Sequence, residues 1–89
     1  MIIVAGALYV KASSRDRLLE LSRPAVEAAR QLEECLDFSV APDLLEPTRV
    51  NIYERWVSSE ALTAFRQAGP SSDVASLIER ADVCEYEVQ

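Results

Sequence analysis

Histidine is absent from this chain of 89 residues, and with it go the commonest metal ligand and the usual carrier of protons near neutral pH. Any base chemistry then falls to a carboxylate whose proton affinity burial has raised. Cysteine is limited to Cys35 and Cys84, which lie far apart and form no CxxC spacing. They complete no metal set, and two free thiols in the cytoplasm are expected, with an interchain disulfide or a redox role as the alternatives. Glycine occurs only twice while 49% of the residues are apolar, a composition that folds and is neither disordered nor of low complexity. Cations are few as well: 9 Lys and Arg stand against 15 Asp and Glu, a formal net charge of −6. Nucleic acid is excluded as a partner, because its binding draws on clustered cations that displace counterions. Long apolar runs are also missing. Residues 1–10 are short for a membrane span, have no basic start and lead directly into charges, so neither a signal peptide nor a membrane anchor is expected. One domain covering residues 1–89 is expected, burying little more than ~60% of its unfolded surface.

What is present is organised around residues 49–57. A period of two places Val50, Ile52, Glu54 and Trp56 on one face and Arg49, Asn51, Tyr53, Arg55 and Val57 on the other, which is a strand. Ser58 and Ser59 then offer a helix cap, Glu60 suits a first turn, and Ala61, Leu62 and Phe65 fall at helical spacing. A strand feeds a helix with almost no loop, so its polar groups and its tryptophan stand where a pocket between sheet and helix could be lined.

The rest of the chain supplies the frame. Residues 2–10 read as a strand apolar on both faces, with Ile2, Val4, Gly6, Leu8 and Val10 against Ile3, Ala5, Ala7 and Tyr9. Ser13 and Asp16 form a capping-box pattern opening a helix whose stripe of Leu18, Leu21, Ala25 and Leu32 runs to about Glu34, with a bend expected at Pro24 and a break there as the alternative. Residues 35–41 alternate as a second strand, with Leu36, Phe38 and Val40 on one face, and residues 42–47 turn the chain. Gly69 and Pro70 are expected to stop the helix that follows the third strand. Ser71 or Ser72 caps a short third helix containing Val74, Leu77 and Ile78, and residues 81–88 form the last strand. The order gives an α+β, ferredoxin-like βαββαβ fold: a four-stranded antiparallel sheet with helices on one face. The other face is left bare, which predicts a homodimer with sheet facing sheet, to be broken by a charge placed at Val4.

The run Tyr-Glu-Arg-Trp-Val-Ser-Ser-Glu-Ala-Leu from Tyr53 to Leu62, with the Ile-Val-Ala-Gly-x-Leu-x-Val opening and Cys35-Leu-x-Phe38, resembles the antibiotic biosynthesis monooxygenase domains. The resemblance covers nearly the whole chain. It implies a dimeric α/β barrel with a ligand cavity between sheet and helices. For some members it also implies oxygenation of phenolic or polycyclic aromatic substrates without metal or organic cofactor. The departures are specific. Members commonly carry a histidine where this chain has Phe65, and often another after a proline, where Pro70 and Ser71 stand; Glu34 replaces a usual glycine. Haem-degrading relatives use a strand Asn, a helix Trp and a histidine ligand; Ala7, Phe65 and Ala75 stand at the approximately matching positions, so haem degradation is not expected.

Cofactor-free oxygenation asks a protein to exclude water, hold an electron-rich aromatic and favour its phenolate. Glu54 is the candidate base, with Asn51, Arg49 and Arg55 as candidate donors to an anion. Trp56, Glu54 and Asn51 are therefore the candidate catalytic residues, and Tyr53, Arg55, Tyr9 and Phe65 the candidate substrate contacts. Each has a plainer reading: Trp56, Tyr9 and Phe65 as core, Glu54 as a structural partner of an arginine. Asn51, Tyr53 and Arg55 would be dimer contacts if their face meets a partner sheet. A non-catalytic ligand-binding or dimerisation module is the alternative function.

Overall fold

The computed structural model describes residues 1–68 and 72–89. The expected helix stop at Gly69 and Pro70 and the cap at Ser71 lie outside them. Strand β1 (Ile2–Val10) leads through a short 3-10 turn (Ala12–Ser14) into helix α1 (Arg15–Arg30), followed by β2 (Cys35–Pro42) and β3 (Arg49–Trp56). Helix α2 (Ser59–Gln67), helix α3 (Ser72–Leu77) and strand β4 (Ile78–Glu87) complete the chain. The strands form one antiparallel sheet in the order β2-β3-β1-β4, the ferredoxin-like arrangement.

Alternation decides which side chains the helices cover. Val4 and Val10 of β1, Val50 and Trp56 of β3, and Phe38 of β2 are buried together with Leu18 and Ala29 of α1 and Leu62 of α2. Each large apolar side chain removed from water in this way stabilises the fold by roughly 1.5–3 kcal/mol. Val4 therefore belongs to the helix-covered core and not to the bare face, so it is no probe of a partner. The bare face carries Ile3, Ala5, Ala7 and Tyr9 from β1.

Several boundaries depart from the sequence reading. Helix α1 ends at Arg30, short of Glu34, where Gln31 and Leu32 close tight turns back to Ala28 and Ala29; Arg30 instead reaches across to donate to the Phe38 carbonyl at 2.9 Å. Ser14, not Ser13, stands at its N-terminus, and no side chain caps it. Pro24 lies within the helix, as the uninterrupted stripe implied. In β2 a register shift between Cys35 and Asp37 leaves Leu36 as an extra residue. The bulge turns Cys35 inward against the core and leaves Leu36 exposed, the reverse of simple alternation. Strand β4 begins at Ile78, three residues early, because a second irregularity pairs Ile78 with Val10. Ser58 caps α2 as expected, its hydroxyl accepting from the Ala61 amide at 3.2 Å.

Gly6 fixes the approach of β4 to β1. Its φ of +152° is open only to glycine, and a Cβ built there would lie 2.0 Å from the Asp82 carbonyl oxygen and 2.7 Å from the Val83 Cα. Both obstacles are backbone, so neither can turn aside. Gly6→Ala is expected to destabilise the protein by more than ~3 kcal/mol, read as the urea midpoint shift at unchanged slope. A variant that unfolds like the parent would show that β4 can retreat at no cost.

Candidate functional site

Trp56 ends β3 and is fully sealed from solvent. Its ring packs at 5.1 Å from Phe65 of α2, and Phe38 of β2 stands edge-on to both, with centroids 6.4 Å from Trp56 and 5.5 Å from Phe65. Such offset aromatic contacts add to what area burial supplies. The indole N–H still requires an acceptor, and Glu54, two residues back on the same face, provides it: Nε1 donates to Glu54 Oε1 at 2.9 Å.

That carboxyl is in an unusual place. Burial among Val4, Phe38 and Trp56 pushes the Glu54 pKa above its ordinary value. The Trp56 hydrogen bond and the Arg66 charge pull it partly back, and Glu85 opposes them. Glu85 lies across Val4 from Glu54 and takes Arg66 of α2 in an ion pair at 2.7 Å. At a half-exposed surface this pair adds little stability. Its position is what counts, since it brings a cation near Glu54.

Behind Trp56 and Phe65 a cleft of about 340 Å³ opens between the C-terminal half of α1 and α2. Its walls are mostly small and apolar: Ala28 of α1 and Leu32 just beyond that helix line it together with Ala61, Ala64 and Ala68, and Glu34 adds an acidic group. The volume is at the low end for small-molecule sites. A second cleft, of about 300 Å³ between α1 and β2, shares none of these residues and offers Ser22 and Arg23 as its polar groups. Among the described residues no three His, Cys, Asp or Glu side chains gather to hold a metal ion, and no helix is long and apolar enough to cross a membrane.

The candidate residues fall into two groups. Trp56, Glu54 and Phe65 meet under the helices. Asn51, Tyr53, Arg55 and Tyr9 lie on the bare face, where Arg49 donates to Asn51 Oδ1 at 2.7 Å and to the Tyr9 hydroxyl at 3.1 Å. Asn51 in turn donates to Asp43 at 3.0 Å. The structure thus separates the two faces that the sequence left open. The cleft's alanines were missed, although Ala61, Ala64 and Ala68 stand at helical spacing along one side of α2. Arg66 and Glu85, distant in sequence, gave no signal.

The model of the family described as antibiotic biosynthesis monooxygenase matches residues 1–75. The chain belongs to the antibiotic biosynthesis monooxygenase family. Solved structures agree on the fold. A Nitrosomonas europaea protein of antibiotic biosynthesis monooxygenase type superposes with a TM-score of 0.88 at 18% identity, over 99% of this chain and 98% of that one. A Deinococcus radiodurans protein of the same type does so with a TM-score of 0.79 at 24% identity, over 100% and 93%. A conserved protein of Methanosarcina mazei Go1 gives 0.85 at 17% identity, over 99% and 92%. At these identities the likeness is one of fold. No curated protein matches the chain. In this chain the Glu and Trp of the Tyr-Glu-x-Trp run are in mutual contact.

The Glu54 carboxyl generates a pH test. Ionising it is harder in the folded chain than in the unfolded one, so the folded state holds its proton more tightly. Stability then falls as pH rises from the ordinary value of 4.5 through the raised folded value, and stays lower above it. Asp43, held down at about 2 first by the Asn51 hydrogen bond and then by the Glu46 and Leu45 amides, acts only in stronger acid. Glu54→Gln, which keeps an oxygen for Trp56, is expected to lose the decline that begins as pH rises past the ordinary value of 4.5, read in urea unfolding. An unchanged decline would show that Glu54 is not its source.

Proposed function

We propose that this protein is a cofactor-independent monooxygenase that oxidises a flat phenolic, polycyclic aromatic or quinol-type molecule held in the cleft between α1 and α2. The observation that carries this reading is the double role of Trp56. One residue walls the apolar cleft and donates to a buried carboxyl of raised proton affinity. Glu54 takes the phenolic proton, and apolar walls keep water from the phenolate. An anthrone-type substrate then supplies every electron itself. Its methylene carbon gains one oxygen atom as a carbonyl, the other oxygen leaves as water with the two hydrogens, and four electrons pass from substrate to dioxygen. Glu54 returns its proton to the departing water.

A second reading rests on the packing. The three aromatic rings fill the space beside Glu54, and Trp56 has no exposed surface. That favours a binding or dimerisation module whose core is already full. Oxygen uptake by the purified protein against anthrones, naphthols and hydroquinones separates the two. The monooxygenase reading expects uptake that falls at least ~100-fold in Glu54→Gln, the low end for losing a general base, and that disappears in a folded Trp56→Ala variant. Uptake indifferent to both substitutions would remove this site from the chemistry, and binding without uptake would favour the module.

We also propose that two copies join through the bare sheet face, as the family resemblance implies. Ile3 and Ala5 stand part-exposed on that face without a helix above them, and the Arg55 Nε there is buried with no hydrogen-bond partner among the described residues. Ala5→Glu is expected to give a destabilised or aggregating monomer in sedimentation analysis. A stable, soluble monomer from that change would contradict the dimer.

A further inference from the structure

The sheet sets one row of side chains beneath the helices at the level of Glu54. The register runs from Phe38 of β2 through Glu54 of β3 and Val4 of β1 to Glu85 of β4. Glu54 and Glu85 thus stand two strand spacings apart, roughly 10 Å, with one buried valine between them. Arg66 enters this row from α2. It follows Phe65, whose ring packs 5.1 Å from Trp56, and its guanidinium reaches Glu85 Oε2 at 2.7 Å.

Two carboxylates therefore share one cation, and only Glu85 holds it. Glu54 spends Oε1 on the Trp56 N–H, and its Oε2 meets no donor and no cation within bonding reach among the described residues. The other groups around Glu54 do not replace Arg66. Strand β1 presents Ile2 and Val4, neither of them charged. Cys35 of β2 donates its thiol to the Asp37 carbonyl at 3.4 Å, and Arg30 of α1 is taken up by the Phe38 carbonyl at 2.9 Å. A cation resting on Glu54 would stabilise its ionised form and make it a poorer base. With Arg66 drawn to β4 that stabilisation is only partial, and the charge of Glu85 opposes it along the row.

We propose that Glu85 is a positioning residue for proton transfer at Glu54: by holding Arg66 at β4 it withholds the cation and leaves the inner carboxyl free to take a proton from a phenol. This role rests on the monooxygenase reading for its use in catalysis, while the row of charges stands apart from it.

Both members of the pair are about half exposed, so Glu85→Gln and Arg66→Gln leave the fold intact. Carbon-13 NMR of the Glu54 side-chain carboxyl, assigned by its loss in Glu54→Gln, reads the titration directly in the full-length protein. Glu85→Gln is expected to move that titration to lower pH, because it removes a negative charge and frees Arg66 to reach the open oxygen. In an Arg66→Gln background the same change is expected to move it less, since only the lost repulsion remains. Added salt is expected to shrink both shifts. Anthrone-dependent oxygen uptake is expected to fall several-fold in Glu85→Gln and to recover when Arg66→Gln is added, a rescue that a merely structural ion pair would not give. A Glu54 titration that Glu85→Gln leaves in place, or shifts equally with and without Arg66, would overturn the proposal. So would a loss of uptake that Arg66→Gln does not restore. The expected titrations with no uptake in any variant would instead support the withheld cation and remove the monooxygenase reading.

Discussion

Burying an indole obliges a fold to supply an acceptor for its N–H, and most of this structure answers that requirement. Trp56 can lie sealed among Phe38, Phe65 and the helices because Glu54 follows it inward and accepts at 2.9 Å. A strand alternates strictly, so sending Glu54 and Trp56 under the helices sends Asn51, Tyr53 and Arg55 to the opposite face. A slip of one residue would bury two polar side chains and an arginine and expel the indole. The register of β3 against β1 and β2 is thereby held from both sides. The carboxyl that satisfies the indole is also the group whose proton affinity burial raises.

The two faces divide the labour. Beneath the helices lie the aromatic trio, the cleft and the carboxyl; on the open side lies a patterned surface of small, aromatic and charged side chains. Asp43 anchors one end of that surface, accepting from the Leu45 and Glu46 amides and from Asn51. Arg15, at the start of α1, donates to the Glu46 carbonyl and ties the same loop to the helical side. Gly6 serves both faces, since the close approach of β4 that it permits carries Glu85 toward Glu54 on one side and Arg80 over Tyr9 on the other.

Much of this was legible in the sequence, because alternation is a backbone property that tertiary context seldom overrides. The grouping of Ile52, Glu54 and Trp56 on one face of β3, the Ser58 cap and the ferredoxin-like order could all be read from spacing, but which face of β3 turns inward could not. Where the reading slipped, a local irregularity had broken the period. The bulge at Leu36 exchanges the expected faces of Cys35 and Leu36, and the early start of β4 draws Ile78 out of a helical pattern into a pairing with Val10. Which face of β1 the helices cover was not legible, since both of its faces are apolar, and Val4 fell on the side opposite to the one expected. The site was half visible. Its strand residues follow a period, whereas the Arg66 and Glu85 pair and the wall that α1 lends to the cleft depend on how distant segments meet.

The outer strands of the sheet also bear on how this protein behaves in a crowded solution. A sheet edge offers unpaired amides and carbonyls to any passing strand and can seed endless growth into fibrils. Here the two edges are blunted by different means. Strand β2 is kinked by its bulge and closes on Pro42, whose ring offers no amide. Strand β4 is long, irregular only near its start at Glu79, and it carries Glu79, Arg80, Asp82, Glu85 and Glu87 along its length. An incoming copy would have to strip water from charges on both faces of β4 to extend the sheet. The face of the sheet can therefore remain apolar enough to meet another molecule while its edges discourage aggregation.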